Sequence, residues 1–130
     1  AAQARGEQDE EQERGIYLGY SDNFRENTVR RAGQAEQISS LINATEYPLI
    51  VCGDFNDSPI SYTHRVVGEG LNDAFVESGN GFGISYNQNH FYFRIDNILL
   101  SKNLKSYRCT VDNTIKSSDH YPIWCYVAEK

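Results

Sequence analysis

The chain has 130 residues, of which 39% are hydrophobic and 23% charged, the size and balance of one globular domain. Its formal net charge of −6 has the wrong sign for a protein that coats long nucleic acid, so long duplex DNA is not a favoured partner. No apolar run approaches the roughly 20 residues of a transmembrane helix, and no signal-peptide pattern opens the chain. Methionine is absent even at position 1, so we expect a processed protein or a part of a longer one.

Residues 1–15 are rich in Gln and Glu and contain little that could be buried, and the segment Ile16–Tyr20 that follows is too short to classify. Half of the net charge lies in the first fourteen positions, where five carboxylates oppose two arginines. Such a composition does not drive folding, so we predict an acidic, partly disordered N-terminal extension over 1–26. The folded domain is then predicted to cover residues 27–130.

The first predicted elements are a helix and a strand. Ala35, Ile38, Leu41 and Ile42 recur at steps of three or four along a polar background, which predicts an amphipathic helix over 27–43. The continuous apolar run at 49–52 predicts a strand that is buried on both faces. A helix joined to a strand by a short loop is an α/β unit.

Glycines, prolines and branched residues divide the rest of the chain. They predict a loop at 53–59, a short helix at 59–67, a helical turn at 71–77 and a loop at 79–89. The last loop holds three glycines, but it lacks the Lys and the following helix of a phosphate-binding P-loop. Strands are predicted at 91–100, 106–111 and 121–127, the first and last being rich in aromatic and branched residues.

Three cysteines, Cys52, Cys109 and Cys125, lie in apolar, strand-like stretches. Their spacing contains no CxxC motif, so we interpret them as small buried hydrophobic residues rather than as a zinc site. One disulfide with a free thiol is the alternative, and cysteine usage therefore does not fix the cellular compartment.

Three polar clusters interrupt or end the apolar strands: Asp54 with Asn56, then Asp96, and then Asp119 with His120. Asp and Asn are common turn formers, so the first and last clusters also have a plain structural explanation. Asp96 is different, because branched apolar residues flank it on both sides. A carboxylate buried among such residues needs a partner.

Strand ends in an α/β fold converge on one edge, where functional sites are usually built. If Asp96 pairs with His120, the carboxylate fixes the imidazole tautomer and stabilises the imidazolium. Asp119 is then free to bind a hard cation such as Mg²⁺, Asp54 could align a water molecule and Asn56 could donate to a phosphate oxygen. Together these groups suit metal-assisted hydrolysis of a phosphate ester.

The motifs IVCGDFND (50–57), FRIDNILL (93–100) and SSDHYPIW (117–124), in this order, resemble the endonuclease/exonuclease/phosphatase superfamily. Its members include exonuclease III-type repair nucleases, DNase I and inositol polyphosphate 5-phosphatases. The segment RRAGQAEQI (30–38) is also similar, so the resemblance covers about 30–126 and is strongest to Bacteroidetes-type members. It implies the C-terminal half of a DNase I-like two-sheet α/β sandwich, here one mixed sheet with flanking helices.

The resemblance implies a role for each motif residue. Asp54 matches the aspartate that orients or activates the water nucleophile, and Asn56 matches the asparagine that binds the scissile phosphate. Asp96 matches the aspartate paired with the catalytic histidine, which is His120. Asp119 matches the acidic residue of the metal site, and the implied cofactor is Mg²⁺ or Mn²⁺.

The sequence departs from the family pattern in two ways. Asn97 stands where Tyr is usual, and alternation along a strand should turn its side chain away from Asp96. Family members also carry an Asn-containing strand, a metal-binding Glu and a His-containing strand upstream, and nothing here matches them. The other histidines, His64 and His90, lie too late in the chain, and we interpret them as a helix-surface and a loop residue.

The resemblance implies that the parent protein is a divalent-metal-dependent phosphoester hydrolase, either a phosphodiesterase or nuclease, or a phosphatase. We expect the chain alone to lack the N-terminal metal-binding half, to hold its metal weakly and to be weakly active or inactive. Its sheet would need cover from that missing half or from a second copy. The alternative is a non-catalytic assembly or binding module. The substrate, among DNA, RNA, inositol phosphates and phospholipids, stays open, and so does the compartment.

Overall fold

The computed structural model describes residues 26–88 and 92–130. The predicted extension, apart from residue 26, and His90 therefore lie outside the described residues. The chain divides into two units after residue 34, and the strands formed by the described residues belong to the second unit, Ala35–Lys130. No helix among the described residues is both long enough and apolar enough to cross a membrane.

Helix α1 occupies residues 26–44, which confirms the predicted helix to within one residue at each end. Within the second unit its apolar face is anchored by Ala35, which is buried against Val67 and Leu99, and Ile42 packs on the same cluster. As the apolar period predicts, this part of the helix packs its apolar side on the core.

The strands form two antiparallel sheets. Strand β1 (Ile50–Asp54) pairs with β3 (Asp96–Leu100), and β3 pairs with the short β2 (Asn72–Asp73), in the order β1-β3-β2. Strands β4 (Leu104–Val111) and β5 (Ile123–Glu129) form a separate ribbon. The prediction of one mixed sheet is wrong for the described residues, although the α/β class is confirmed. An apolar run does not encode the direction of the strand beside it.

Strand β3, not β1, is the buried strand of the sheet. Leu99 faces the cluster that includes Ala35 and Val67. Ile98 and Leu100 face a second cluster, on the opposite side of the strand, together with Ala74, Leu104 and Cys109. The prediction that the run 49–52 is buried on both faces is wrong, because Val51 packs on the core while Ile50, on the opposite face of β1, remains 53% exposed.

Two short helices connect β1 to β3. Helix α2 (Tyr62–Gly68) starts later than the predicted residue 59, because Ser61 is its N-cap and accepts a hydrogen bond from the His64 N–H. Helix α3 (Ala74–Ser78) follows β2 directly, so the predicted helical turn at 71–77 is strand in its first part. The N-cap of α3 is Asp73, whose Oδ1 accepts from the Phe75 and Val76 N–H groups.

The three cysteines are all free thiols in the described part of the chain. Cys109 is buried and Cys125 is half-buried, as predicted for small hydrophobic residues. Cys52 is exposed, which corrects the prediction for that residue, since it lies on the same face of β1 as the exposed Ile50.

Candidate active site

His120 and Asp96 form a hydrogen bond across the site, with 2.8 Å between Nδ1 and Oδ2. Asp96 is the first residue of β3, and His120 lies three residues before β5. The contact that the sequence predicted between these two side chains is therefore present. Because Nδ1 donates to the carboxylate, Nε2 is the nitrogen left to face the rest of the site.

The loop before β3 holds these two residues in place. Ser85 is fully buried, and its Oγ accepts hydrogen bonds from the N–H groups of Ile95, at 3.0 Å, and Asp96, at 3.1 Å. The Ser85 carbonyl accepts from the Tyr121 N–H at 2.8 Å, and Tyr86 forms a β-bridge with His120. One serine thus ties the start of β3 to the segment that carries the histidine.

Asp54 ends β1 directly opposite Asp96 in the β1–β3 register. Its Oδ2 lies 3.6 Å from His120 Nε2, which is within ion-pair reach but too long for a hydrogen bond. Its Oδ1 accepts a hydrogen bond from the Asn56 N–H at 2.8 Å. Asn56 itself is exposed and has a left-handed backbone with φ 50°, which Asn tolerates better than most residues.

The electrostatics of the site favour a charged imidazole. The hydrogen bond that His120 donates to Asp96 raises the pKa of His120, partial burial opposes this, and the charges of Asp96, Asp54 and Asp119 add to the increase. His120 is only partly buried, so solvent reaches the ring. Nε2 of His120 therefore lies half-exposed beside the exposed Asp54 carboxylate. It offers an N–H when the ring is charged and a lone pair when the ring is neutral.

The site also brings together groups that can bind a cation. One ligand atom each of Asp54, Asp96 and His120 lies within 4.8 Å of the others. The donor set fits a divalent cation only loosely, because Mg²⁺ prefers carboxylate oxygens and Asp96 already accepts a hydrogen bond from the imidazole.

Asp119, the residue predicted to bind the metal, lies outside that group of three. Its exposed carboxylate accepts a hydrogen bond from Ser118 Oγ at 3.2 Å, and its carbonyl accepts from the Asn87 N–H. Its negative charge contributes to the raised pKa of His120. A metal-binding role for Asp119 stays a prediction.

A buried charge network lies behind Asp96, and the sequence analysis missed it. Arg94 is 2% exposed; it donates from Nη2 to Asp73 Oδ2 at 2.6 Å and from Nη1 to the Asp96 carbonyl at 3.2 Å. His64 Nε2 meets the same Asp73 oxygen at 2.9 Å. Burial alone would raise the pKa of Asp73, but hydrogen bonds from His64 and Arg94 and the Arg94 charge outweigh it and lower the pKa to about 2.

The contacts of this network correct the interpretation of His64 and support that of Asn97. His64 is not a helix-surface residue, because its ring is largely buried against Asp73. Asn97 turns away from Asp96 as predicted: its side chain is buried, donates to the Ile95 carbonyl at 3.0 Å and accepts from Arg94. The sequence did carry a signal for this network, because Arg94 stands between aromatic and branched residues at the start of a strand. A buried arginine, like a buried carboxylate, requires a partner.

The solved structures that resemble this chain share its fold at low sequence identity. A mannosyl-6-phosphatase from Bacteroides thetaiotaomicron is 21% identical, with a TM-score of 0.57, over 75% of this chain and 45% of its own length. An endonuclease/exonuclease/phosphatase family protein from the same species is 20% identical, with a TM-score of 0.63, over 77% and 44%. The catalytic domain of human Nocturnin is 20% identical, with a TM-score of 0.61, over 79% and 42%. The chain thus spans less than half the length of each.

No curated protein sequence matches the chain significantly. The model of the endonuclease/exonuclease/phosphatase family matches residues 7–120, so the match begins well before residue 30, where the resemblance of the motifs began. The structural likenesses confirm the α/β fold as part of a DNase I-like domain. The chain therefore belongs to the endonuclease/exonuclease/phosphatase family.

Proposed function

We propose that this chain carries the histidine–aspartate part of the active site of a divalent-metal-dependent phosphoester hydrolase. The family and its structural neighbours support a phosphoester hydrolase kind of function. The observation that carries the finer proposal is the His120–Asp96 hydrogen bond of 2.8 Å, with the Asp54 carboxylate facing the other imidazole nitrogen. The similar structure named as a mannosyl-6-phosphatase supports a phosphomonoester as one candidate substrate.

In the proposed reaction, each residue has one task. Asp96 holds the imidazole so that Nε2 of His120 points at the scissile phosphate and stabilises the charge that develops on its oxygens. Asp54 accepts a hydrogen bond from the attacking water and orients it. Asn56 lies at the exposed entrance, where its amide can donate to a phosphate oxygen.

Enzymes of the family generally use divalent metal ions. In this chain the carboxylate of Asp119 would hold such an ion. When bound, it would polarise a phosphoryl oxygen and offset the negative charge of the ester. Because the donors gathered here are few, we propose weak metal binding by the chain alone.

A direct test compares hydrolysis of bis(p-nitrophenyl) phosphate and p-nitrophenyl phosphate by the parent protein that contains this chain and by its variants, with and without Mg²⁺ or Mn²⁺. His120→Ala, and separately Asp54→Asn, should lower the rate by about 10²- to 10⁴-fold. Glu46→Gln is the matched control, because it makes the same acid-to-amide change as Asp54→Asn on an exposed loop residue. Turnover of both esters that survives His120→Ala would contradict the proposed function.

Exposed aromatic side chains favour a second candidate, a module that binds another protein segment. Tyr107, Trp124 and Tyr126 on the β4–β5 ribbon are 45%, 41% and 61% exposed. We propose that the N-terminal half of the family domain covers them, since the chain spans less than half of the structures it resembles. Restoration of hydrolysis on adding the segment encoded upstream would support this. Concentration-dependent dimerisation that Tyr126→Ser abolishes would instead assign the face to a second copy.

A further inference from the structure

A cavity of about 650 Å³ opens beside His120, within the usual size range of small-molecule sites. The segment before β3 forms much of its wall, and that segment is fixed to the candidate active site. The centroids of the Tyr86 and His120 rings lie 5.0 Å apart, and the ring planes are tilted by 56°. Tyr121 follows His120 directly in the chain. The cavity and the imidazole of His120 therefore share Tyr86 as a common neighbour.

The lining of the cavity is aromatic and uncharged. Four aromatic side chains contribute to it, those of Phe82, Tyr86, Tyr92 and Tyr121. Among the described residues that line the cavity, none is Lys, Arg, Asp or Glu, although the chain contains 12 basic and 18 acidic residues. The neutrality of this surface thus distinguishes it from the acidic site beside it.

The polar groups of the lining are amides. Asn87, Gln88 and Asn113 contribute side chains that both donate and accept hydrogen bonds. Gln88 Nε2 donates to Asn87 Oδ1 at 2.9 Å, and Asn87 Nδ2 donates to the Ser118 carbonyl at 3.4 Å. The amide edge of the cavity is therefore partly ordered by the same segment that carries Asp119 and His120.

We propose that this cavity binds the alcohol part of the substrate and that this part is a neutral, polyhydroxylated ring, so that the substrate is a sugar phosphate. The inference rests on the proposed function and names its substrate class. Aromatic rings pack against the C–H faces of such a ring, while amides pair with its hydroxyl groups in both directions. Both kinds of group are present on one wall and next to the imidazole.

The same lining argues against polyanionic substrates. An inositol polyphosphate or an oligonucleotide would place further phosphates beyond the scissile one, and each such phosphate needs a cation or several donors to replace its water. The described residues of the lining offer no basic side chain for them. A nucleobase could stack on the aromatic rings, so a dinucleotide is the comparison that tests the sugar assignment most sharply.

Binding can be measured separately from hydrolysis, by isothermal titration of the 130-residue chain with glucose 6-phosphate, mannose 6-phosphate, inorganic phosphate, inositol 1,4,5-trisphosphate and a dinucleotide. We expect the hexose phosphates to bind more tightly than the other three. In Tyr92→Ala and in Asn113→Ala, the ratio of hexose phosphate affinity to phosphate affinity should fall about 5- to 10-fold. Tyr47→Ala, at an aromatic residue that is 81% exposed and lies outside the cavity lining, should leave the ratio unchanged.

The outcomes separate this inference from the proposed function. Equal affinity for hexose phosphate and inorganic phosphate, or no binding of hexose phosphate at millimolar concentration, would overturn the sugar pocket. A dinucleotide or the trisphosphate that binds more tightly than the hexose phosphates, and loses affinity in Tyr92→Ala, would also overturn it. Hexose phosphate binding that depends on Tyr92 or Asn113, without any hydrolysis by the parent protein that depends on His120, would support the pocket and reject the hydrolase. Circular dichroism identifies an unfolded variant, in which case the other pocket variant decides.

Discussion

Asp96 fixes which nitrogen of His120 faces the site, because the 2.8 Å hydrogen bond occupies Nδ1 and leaves Nε2 toward Asp54. The arrangement has a chemical consequence that can be measured directly. In the neutral ring the proton must stay on Nδ1 as long as its partner is an acceptor only.

Asp96→Asn should release this constraint, because the amide can present an N–H to Nδ1 and favour the other tautomer. We expect hydrolysis to fall by about 10²- to 10⁴-fold while the chain stays folded. The ¹⁵N chemical shifts of the His120 ring check the cause, since they distinguish the two tautomers. An unchanged tautomer together with lost hydrolysis would show that Asp96 acts in some other way. Glu46→Gln again controls for the change of charge.

Ser85→Ala should destabilise the fold by about 1–3 kcal/mol, because it leaves the N–H groups of Ile95 and Asp96 without the oxygen that accepts from both. The free energy of unfolding in urea gives the value. Ser40→Ala is the control: its Oγ donates on the exposed face of α1, and the expected change is within about 0.5 kcal/mol. Equal effects of the two substitutions would contradict the role given to Ser85.

Asp73 should make the fold sensitive to acid. Its pKa of about 2 lies below the ordinary value of 3.8, so the folded state binds fewer protons than the unfolded state between these values. Its contribution is complete above the ordinary pKa and is lost as the pH falls through 2. Allowing for partial solvent screening, we expect about 1–2 kcal/mol.

Asp73→Asn tests this contribution. The variant should be less stable than the wild-type chain near neutral pH, and the gap between their free energies of unfolding should narrow by about 1–2 kcal/mol as the pH is lowered from about 5 to about 2. Urea titrations at several pH values give the comparison. Parallel curves for the two chains would mean that Asp73 titrates normally in the fold.

The three thiols should react with iodoacetamide in the order Cys52, Cys125, Cys109. Cys52 is exposed, whereas Cys109 is buried and burial raises its pKa to about 12, so thiolate forms there only when the fold opens. Mass spectrometry of samples quenched at intervals gives the order, and labelling in urea should abolish the differences. Early labelling of Cys109 would contradict its position in the core.

The sequence predicted the parts of this fold that depend on local pattern. The apolar period located α1 to within a residue, and a carboxylate set among branched residues pointed to the Asp96–His120 contact. The burial of β1 was mispredicted, because an apolar run does not say whether both of its faces will be covered. Among the described residues both sheets are antiparallel rather than one mixed sheet, because an apolar run also does not encode the direction of its neighbour.

Ser85 and the Arg94–Asp73 pair were missed because their partners are distant in sequence. Ser85 lies in a glycine-rich loop, where a serine has many ordinary uses, and nothing local connects it with β3. Arg94 meets a carboxylate 21 positions earlier. Hydrogen bonds between residues distant in sequence form only in the tertiary fold, so the local pattern of a single sequence does not identify the partners.

The register of β1 on β3 sets how the candidate site tolerates changes in chain length. Five consecutive pairs, from Ile50 opposite Leu100 to Asp54 opposite Asp96, fix the two carboxylates at the same height. A deletion of a single amino acid inside β1 would slip the ladder, move Asp54 out of step with Asp96 and turn each displaced side chain to the opposite face. Evolution and engineering alike can therefore vary the length of the surrounding loops far more freely than that of these ten paired positions.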